Sequence, residues 1–558
     1  MSDPGLIHTA VARHAARTPD APALVQGGLR LGYGELDRVA EAYAVELRRR
    51  GVGPGALVPV ALDRTPRLVA VLLGVLKCGA GYAALDTSWP RQRLRTVVAA
   101  LAPPLAVGAA LAGCGVPLWT PPAWSSRSTG EPGAHEPPPV RDVAEPPVPD
   151  TATATVFFTS GTSGTPKGVL SPHRATTRLF GPGAPLAGLG PGRVMAQAGP
   201  VPWDAFTLEV WGPLLTGATC VMSENRSLLP DELRTLTGRH GVDTLWITSS
   251  LFNLFIDEDP DCFTGLTHVL TGGEVLSPAH VRTFLRRHPD TALFNGYGPV
   301  ETCVFATLHR ITPDDCDRPD GIPVGTPVPH TGVHLIPEGA EGAAGAEGAA
   351  GAADAEGSEG AEGAEGAESG EAGEHRESAE IGKFGEIGEI CVSGAGLAAG
   401  YLGLPEATAE RFTLIDGVRV YRTGDLGRRD SDGVLHFRGR TDRQVKIAGH
   451  RVEPAETEAA VRRIPGVADC AVIATDDRLA LYYTADPLTP VTTAAIRSAL
   501  RAALPRYLVP HTVRELPALP VTPNGKVDRA ALAAIAPASA AAAATAAAAA
   551  AAATGKSI

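Results

Sequence analysis

Phe157-Phe158-Thr159-Ser160-Gly161-Thr162-Ser163-Gly164-Thr165-Pro166-Lys167-Gly168 leaves a β-rich run at Ala154 to Thr159 and enters a loop of small, hydroxylated residues that ends in lysine. Small side chains let backbone N–H groups close on an anion, hydroxyls add donors, and the ammonium adds charge. The stretch therefore reads as a phosphate-gripping loop at the end of a strand. It is not a P-loop, because the pattern GxxxxGK followed by Ser or Thr needs glycine where Pro166 stands.

Outward from this loop, helical periodicity at Leu6 to Ala16 and Tyr33 to Arg50, stopped by Gly51, alternates with short β-rich runs such as Leu57 to Ala61. Such alternation predicts α/β layers. With 558 residues the chain exceeds one hydrophobic core, so at least two domains are expected. Residues 120 to 150, rich in Pro, Ser and Gly, read as a long surface loop. From Glu338 to Glu380 runs a Gly/Ala/Glu tract in which Glu recurs every third residue from Glu356 onward. That period makes no helix face and the tract has almost nothing apolar to bury, so disorder is expected, as a tolerated loop expansion. The alanine-rich end from Ala536 to Ile558 has nothing to pack against, and folded structure should finish near Leu532.

The formal net charge is −12, and the 338 to 380 tract, with thirteen acidic residues against Arg376 alone, accounts for it. The rest of the chain is balanced and lacks a basic stripe, which argues against nucleic acid as a partner. Eight cysteines sit singly, without CxxC pairs or His clusters at metal-ligand spacing, and read as reduced thiols. The start MSDPGLIHTA carries an acid where a signal peptide needs positive charge, and the longest strongly apolar run, Leu68 to Leu76, is too short to span a bilayer. A soluble, cytoplasmic protein without membrane contact is expected.

Further motifs follow in order: LGYGEL (Leu31 to Leu36), LKCGAGYAALD (Leu76 to Asp86), the phosphate loop, WDAF (Trp203 to Phe206) and NGYGPVET (Asn295 to Thr302). Then come GEICVSGAGLAAGYL (Gly388 to Leu402), YRTGDL (Tyr421 to Leu426), GRTDRQVKIAGHRVE (Gly439 to Glu453) and PNGKVDR (Pro523 to Arg529). With these nine motifs the chain resembles the adenylate-forming (AMP-binding) superfamily, and within it the free-standing amino acid adenylation domains of nonribosomal peptide synthesis. The resemblance covers about Leu6 to Leu532. It implies a large N-terminal domain of αβ-layered sheets at 1–441, a small α+β C-terminal lid domain at 442–532, and a tail at 533–558.

The resemblance also assigns roles, and each suits its chemistry. Thr159, Ser160, Gly161, Thr162, Ser163, Gly164 and Lys167 would grip the phosphates of ATP, with Asn295, Gly296 and Tyr297 at the nucleotide and Tyr297 stacked on adenine. Glu301 would hold Mg2+, a carboxylate being a suitable ligand for a hard cation that bridges phosphates, and Thr302 would lie near the α-phosphate. Asp425 would accept both ribose hydroxyls, helped by Arg440. Lys526, on the turn after Pro523-Asn524-Gly525, would offset the negative charge that develops when one anion attacks another. Asp442 matches the hinge about which the small domain rotates, withdrawing Lys526 after adenylation and turning the Lys446 to Gly449 face toward an incoming thiol.

For the substrate, the resemblance places Asp204 against an α-ammonium, since a buried carboxylate without a cation is costly. Ala205, Leu208, Trp246, Leu270, Gly272, Gly296, Val304 and Phe305 would line the rest. All are apolar or glycine, so polar side chains would be rejected by leaving their groups unpaired. The combination resembles codes associated with valine, with isoleucine, leucine or a nonproteinogenic relative next. Ala399 and Ala448 stand where relatives usually carry arginine, and Pro454 where an aliphatic residue is usual, which bears on carrier or interdomain contacts.

The expected activity is ATP-dependent formation of aminoacyl-AMP with release of pyrophosphate, then transfer to the phosphopantetheine thiol of a carrier protein in trans, for no carrier-like segment follows Leu532. An MbtH-like helper protein is a further expected partner. The alternatives are an acyl-CoA or aryl-acid ligase on the same fold, which would not need Asp204, and a non-catalytic nucleotide-binding scaffold.

Overall fold

The computed structural model describes residues 5–122, 146–160, 166–181, 186, 189–337, 385–441, 444–447, 449–475, 478–486, 488–522 and 527–535. The expected tract at 338 to 380 and the tail from Ala536 lie outside these, as do Gly161 to Gly164, Asp442, Ala448 and Lys526.

The early periodicities become the helices Ile7–Arg17 and Tyr33–Arg49, and the apolar run near Leu68 becomes the helix Pro66–Lys77, started by proline in its first turn. That helix is apolar all round because it is buried all round. It lies with Tyr33–Arg49 in one core cluster that joins side chains of two sheets, among them Leu24 and Cys220 of one and Val58 and Tyr82 of the other. No helix among the described residues is long and apolar enough to cross a membrane.

The first of these sheets has nine strands and the second six, the latter including Thr153–Thr159 and Lys167–Pro172, which flank the phosphate loop as an antiparallel pair. In the nine-stranded sheet Thr244–Thr248, His268–Gly272 and Ala292–Tyr297 run parallel, with Trp246 opposite Leu270 and Leu270 opposite Phe294. Nearly every residue of Thr244–Thr248 is buried, as expected for a parallel strand covered on both faces. A five-stranded sheet carries Ile387–Gly394 and Val418–Arg429. Together these form a large N-terminal domain.

The small C-terminal domain packs the helices Pro454–Arg462 and Thr493–Ala503 on a sheet of Val467–Thr475, Arg478–Ala485 and Thr512–Glu515. Its own core centres on Val461, Val472, Leu481 and Leu500. The last described helix, Arg529–Ile535, is anchored by Leu532, which is fully buried. A short hairpin, Val445–Ile447 and His450–Val452, precedes this core and reaches back to the large domain.

Candidate functional site

A cleft of about 580 Å³ opens between the two domains. Its floor is the carboxyl end of the parallel strands, where open α/β sheets place ligands. Thr159, Ser160, Asp204, Ala205, Trp246, Gly296, Val304, Phe305, Asp425 and Arg440 all line it.

At one end of the cleft the wall around Asp204 comes from the large domain, with Lys446 of the small domain facing it. Asp204 begins the helix Asp204–Thr216, and its carboxylate accepts from the Ala205 amide at 3.0 Å and the Val304 amide at 3.2 Å. Burial pushes this carboxyl above its ordinary range, opposed by the Val304 amide and by the Lys446 ammonium. The opposing wall is apolar: the Trp246 and Phe305 rings meet edge to face at 5.5 Å. A Cβ on Gly296 would collide with the Phe305 ring, so only glycine leaves room for that ring. Val304 and the preceding Cys303 have φ of 65° and 54°, conformations that cost a residue with a side chain about 1–3 kcal/mol each.

The other end is shared between domains. Asp425 accepts from the Tyr297 hydroxyl at 2.6 Å and is ion-paired with Arg440, which also donates to Gln444 at 2.8 Å. The Glu301 carboxylate, 2% exposed, accepts from the Tyr401 hydroxyl at 2.8 Å and from the Arg451 guanidinium at 2.8 Å. Burial alone would raise this carboxyl, but Arg451 and Tyr401 outweigh it and hold it below the usual range. Ser160 donates to the Arg451 carbonyl at 2.7 Å and accepts from the Glu453 amide at 3.1 Å, so the end of the strand Thr153–Thr159 is tied to the hairpin.

The hairpin enters the cleft at Gly449, where φ is 81° and an added Cβ would press on Thr248 and the Trp203 ring. Its amide donates to Glu274 at 2.9 Å. Next to it the Trp203 indole donates to His450 Nδ1 at 3.1 Å, and the His450 ring stacks on Tyr507 at 3.8 Å. Burial pushes His450 down to about 3, so the imidazole is neutral and Nδ1 can accept. Behind this layer Arg93 of the large domain and Glu456 of the small one form a buried ion pair at 2.7 Å, with the Arg93 guanidinium over Trp89. Lys446 thereby faces the cleft between Asp204 and Asp425, its ammonium pulled down by burial and raised again by Asp425 and Asp204.

Several expected residues stand behind the wall and not on it. Leu208 and Leu270 belong to the apolar cluster that backs Trp246 and Phe305, and Gly272 is the strand neighbour of Gly296. Tyr297, expected at the adenine, is buried in a cluster with Ala306, Val324 and Leu435. Asn295 donates to the Pro323 carbonyl at 2.8 Å, and Thr302 to the Pro299 carbonyl at 2.9 Å, each spending its side chain on the protein. Lys167 lies over the Tyr401 ring at 5.5 Å. Glu301, expected to hold a metal, is here committed to Arg451.

Among the described residues no group of three metal-ligating side chains occurs. A lone carboxylate still suits Mg2+, which keeps several water or phosphate oxygens and takes one or two from protein. Glu301 therefore fits such an ion only with Arg451 withdrawn. Reading the sequence missed Arg451, Tyr401, His450 and Trp203 as partners, although all four lie inside quoted motifs. It also missed Arg178, which carries no motif signal.

Comparison with known proteins gives the family and the fold. The AMP-binding enzyme family matches residues 11–351 and the AMP-binding enzyme C-terminal domain matches residues 456–526. A linear gramicidin synthase polypeptide of Brevibacillus parabrevis is 33% identical over 547 residues, 94% of this chain but 6% of that protein. The chain thus spans a small part of the synthetases it resembles. A nonribosomal peptide synthetase protein containing adenylation and PCP domains, solved with a vinylsulfonamide inhibitor, is 32% identical with a TM-score of 0.78, covering 94% of this chain and 84% of that one. The amide bond synthetase McbA of Marinactinospora thermotolerans, 23% identical over 95% of this chain and 99% of its own, shares the fold with a TM-score of 0.74.

Proposed function

Because the chain belongs to the AMP-binding enzymes, as an adenylation unit of nonribosomal peptide synthetase type, we propose that it activates an amino acid and passes it to a carrier thiol. The substrate carboxylate attacks the α-phosphorus of ATP and pyrophosphate leaves; the carrier's phosphopantetheine thiolate then attacks the acyl carbon and AMP leaves.

The observation that carries the amino acid reading is Asp204. Its buried carboxylate lines the cleft with Trp246, Val304 and Phe305, where burial makes a negative charge costly and an α-ammonium would offset it. Trp246, Val304 and Phe305 leave a small apolar space that favours valine or another branched aliphatic amino acid. One methylene changes discrimination by only about 1–3 kcal/mol, so isoleucine and leucine remain close competitors.

Glu301 would hold Mg2+ together with phosphate oxygens of the nucleotide, and the ion would neutralise charge on those phosphates. Thr159 and Ser160, with Gly161 to Gly164, would grip them. Asp425 and Arg440 would take the ribose, and Lys526 would assist adenylation. With Glu301 held by Arg451 and Lys446 facing the cleft, the present arrangement suits the second half-reaction, after pyrophosphate and metal have gone. Rotation near Asp442 would exchange Lys446 for Lys526. An MbtH-like helper is a further proposed partner.

A second reading, a ligase for an acid without an ammonium, is favoured by one fact: Asp204 already accepts two backbone amides. ATP/pyrophosphate exchange over valine, isoleucine, leucine, aromatic acids and short fatty acids separates the two. Exchange with a branched aliphatic amino acid, reduced at least about a hundredfold by Asp204→Ala and by Lys526→Ala, is expected. Exchange with a non-amino acid only, unaffected by Asp204→Ala, would give the reaction to the second reading.

A further inference from the structure

Arg178 lies in the 3-10 turn Arg178–Phe180 that follows the helix His173–Thr177, and it is 1% exposed. A guanidinium buried this deeply normally meets a carboxylate, because desolvating the cation is costly. Its hydrogen-bond partners among the described residues are all neutral oxygens. Nε donates to the Thr331 hydroxyl at 3.2 Å, Nη1 to the Ala175 carbonyl, and Nη2 to the carbonyls of Thr302 at 2.8 Å and Phe305 at 2.6 Å. Burial pulls its pKa down to about 10, which still leaves it charged at neutral pH.

The last two acceptors are the ends of one short turn, Thr302 to Phe305. Within it stand the positive-φ residues Cys303 and Val304, and a β-branched residue in that region is an outlier that its surroundings must hold in place. This turn aims the Val304 amide at Asp204, puts the Val304 and Phe305 side chains on the pocket wall, and follows Glu301 directly. The guanidinium is a planar fork, and here it ties both ends of the turn at once. The protein also keeps space for it: a Cβ on Gly396 would stand 2.5 Å from the guanidinium carbon.

We propose that Arg178 is a positioning residue of the substrate pocket, a buried clamp that holds the strained turn 302–305 and through it orients Asp204 and shapes the wall at Val304 and Phe305. The Asp204 part of this rests on the substrate reading above; the clamp on the wall holds for whichever acid the protein activates.

Arg178→Met keeps much of the volume without the donors, and Arg178→Lys keeps the charge without the fork. For the acid that the wild-type protein activates best, Arg178→Met should raise its KM roughly tenfold while the KM for ATP changes less than about twofold, and Arg178→Lys should recover part of the loss. A residue that merely supports the fold would lower the active fraction and melting temperature and leave both KM values alone, and that result would overturn the clamp. A second readout needs no turnover. Mass-spectrometric labelling of the native protein with a thiol reagent should rise about tenfold at Cys303 in Arg178→Met and stay flat at the equally buried Cys220, which is the signature of local opening. Equal rises at both cysteines, or at neither, would sink the proposal. So would a lysine variant that no longer folds. If the wild type prefers a non-amino acid, the Asp204 reading fails on its own, while the KM split and the labelling still judge Arg178.

Discussion

The two ends of the cleft are built on different principles. The end proposed for the substrate takes its walls from one domain: Asp204, Trp246, Gly296, Val304 and Phe305 stand on strands and a helix of the large body, wedged by ring packing and a strained turn. The end proposed for the nucleotide is made of charges on two bodies, with Glu301 facing Arg451, Ser160 bonded across to Arg451 and Glu453, and Arg93 paired with Glu456. A pocket that selects a side chain must hold its shape through the whole reaction, whereas a site that hosts two half-reactions must exchange partners. Charged hydrogen bonds serve the second purpose, because each domain orientation can satisfy the same group with a different partner.

The comparison breaks first if the shared end is as fixed as the other. Arg93→Ala removes a buried ion pair that forms when the domains are docked as here, at a cost of about 3 kcal/mol. The ratio of acyl transfer to pyrophosphate exchange should therefore fall by roughly two orders of magnitude, with exchange preserved; equal losses in both would show a general folding defect.

The substrate end has a support of its own, Glu209, fully buried on the helix that Asp204 begins. Its carboxylate accepts from the Gly199 amide at 3.0 Å and from Gln197 at 3.0 Å, fixing the segment that leads to Trp203 and Asp204. Burial pushes it up to about 7, opposed by those donors and by Arg64. The folded protein then holds a proton that the unfolded chain releases, so stability should fall as pH rises from about 4.5 to about 7 and level off above, by on the order of 3 kcal/mol. Melting curves across that window should show the fall in the wild type and a flatter profile in Glu209→Gln. An unchanged slope would remove Glu209 as the source.

The smallest expected effect sharpens the contrast at its centre. Arg451→Ala removes the bonds to Glu301 and Gln444 and should slow acyl transfer about tenfold or more, while exchange changes less than about threefold because Glu301 then needs a metal and not Arg451. A larger loss in exchange than in transfer would place Arg451 in the first half-reaction instead.

Much of this was legible in the residues alone. Layered α/β architecture followed from alternating periodicities, and Asp204, Trp246, Val304 and Phe305, singled out by the motifs and the resemblance, line one cleft. What remained hidden were partners. Nothing near Arg178 in RATTRLF distinguishes the proposed clamp from a solvated arginine, since its acceptors Thr302 and Phe305 lie more than 120 residues away. The motif around Tyr297 likewise does not show that its hydroxyl donates to Asp425, 128 residues away.

The sequence by itself determined the family, the order of the motifs and the kind of residue available at each point of the chemistry, because local pattern and spacing record which segments are buried and which chemical groups they carry. Only the tertiary structure decided which charge meets which. Glu301 meets Arg451 across 150 residues and Arg93 meets Glu456 across 363. Such pairings depend on how two separately cored domains close on each other, and no local property of either segment contains that geometry.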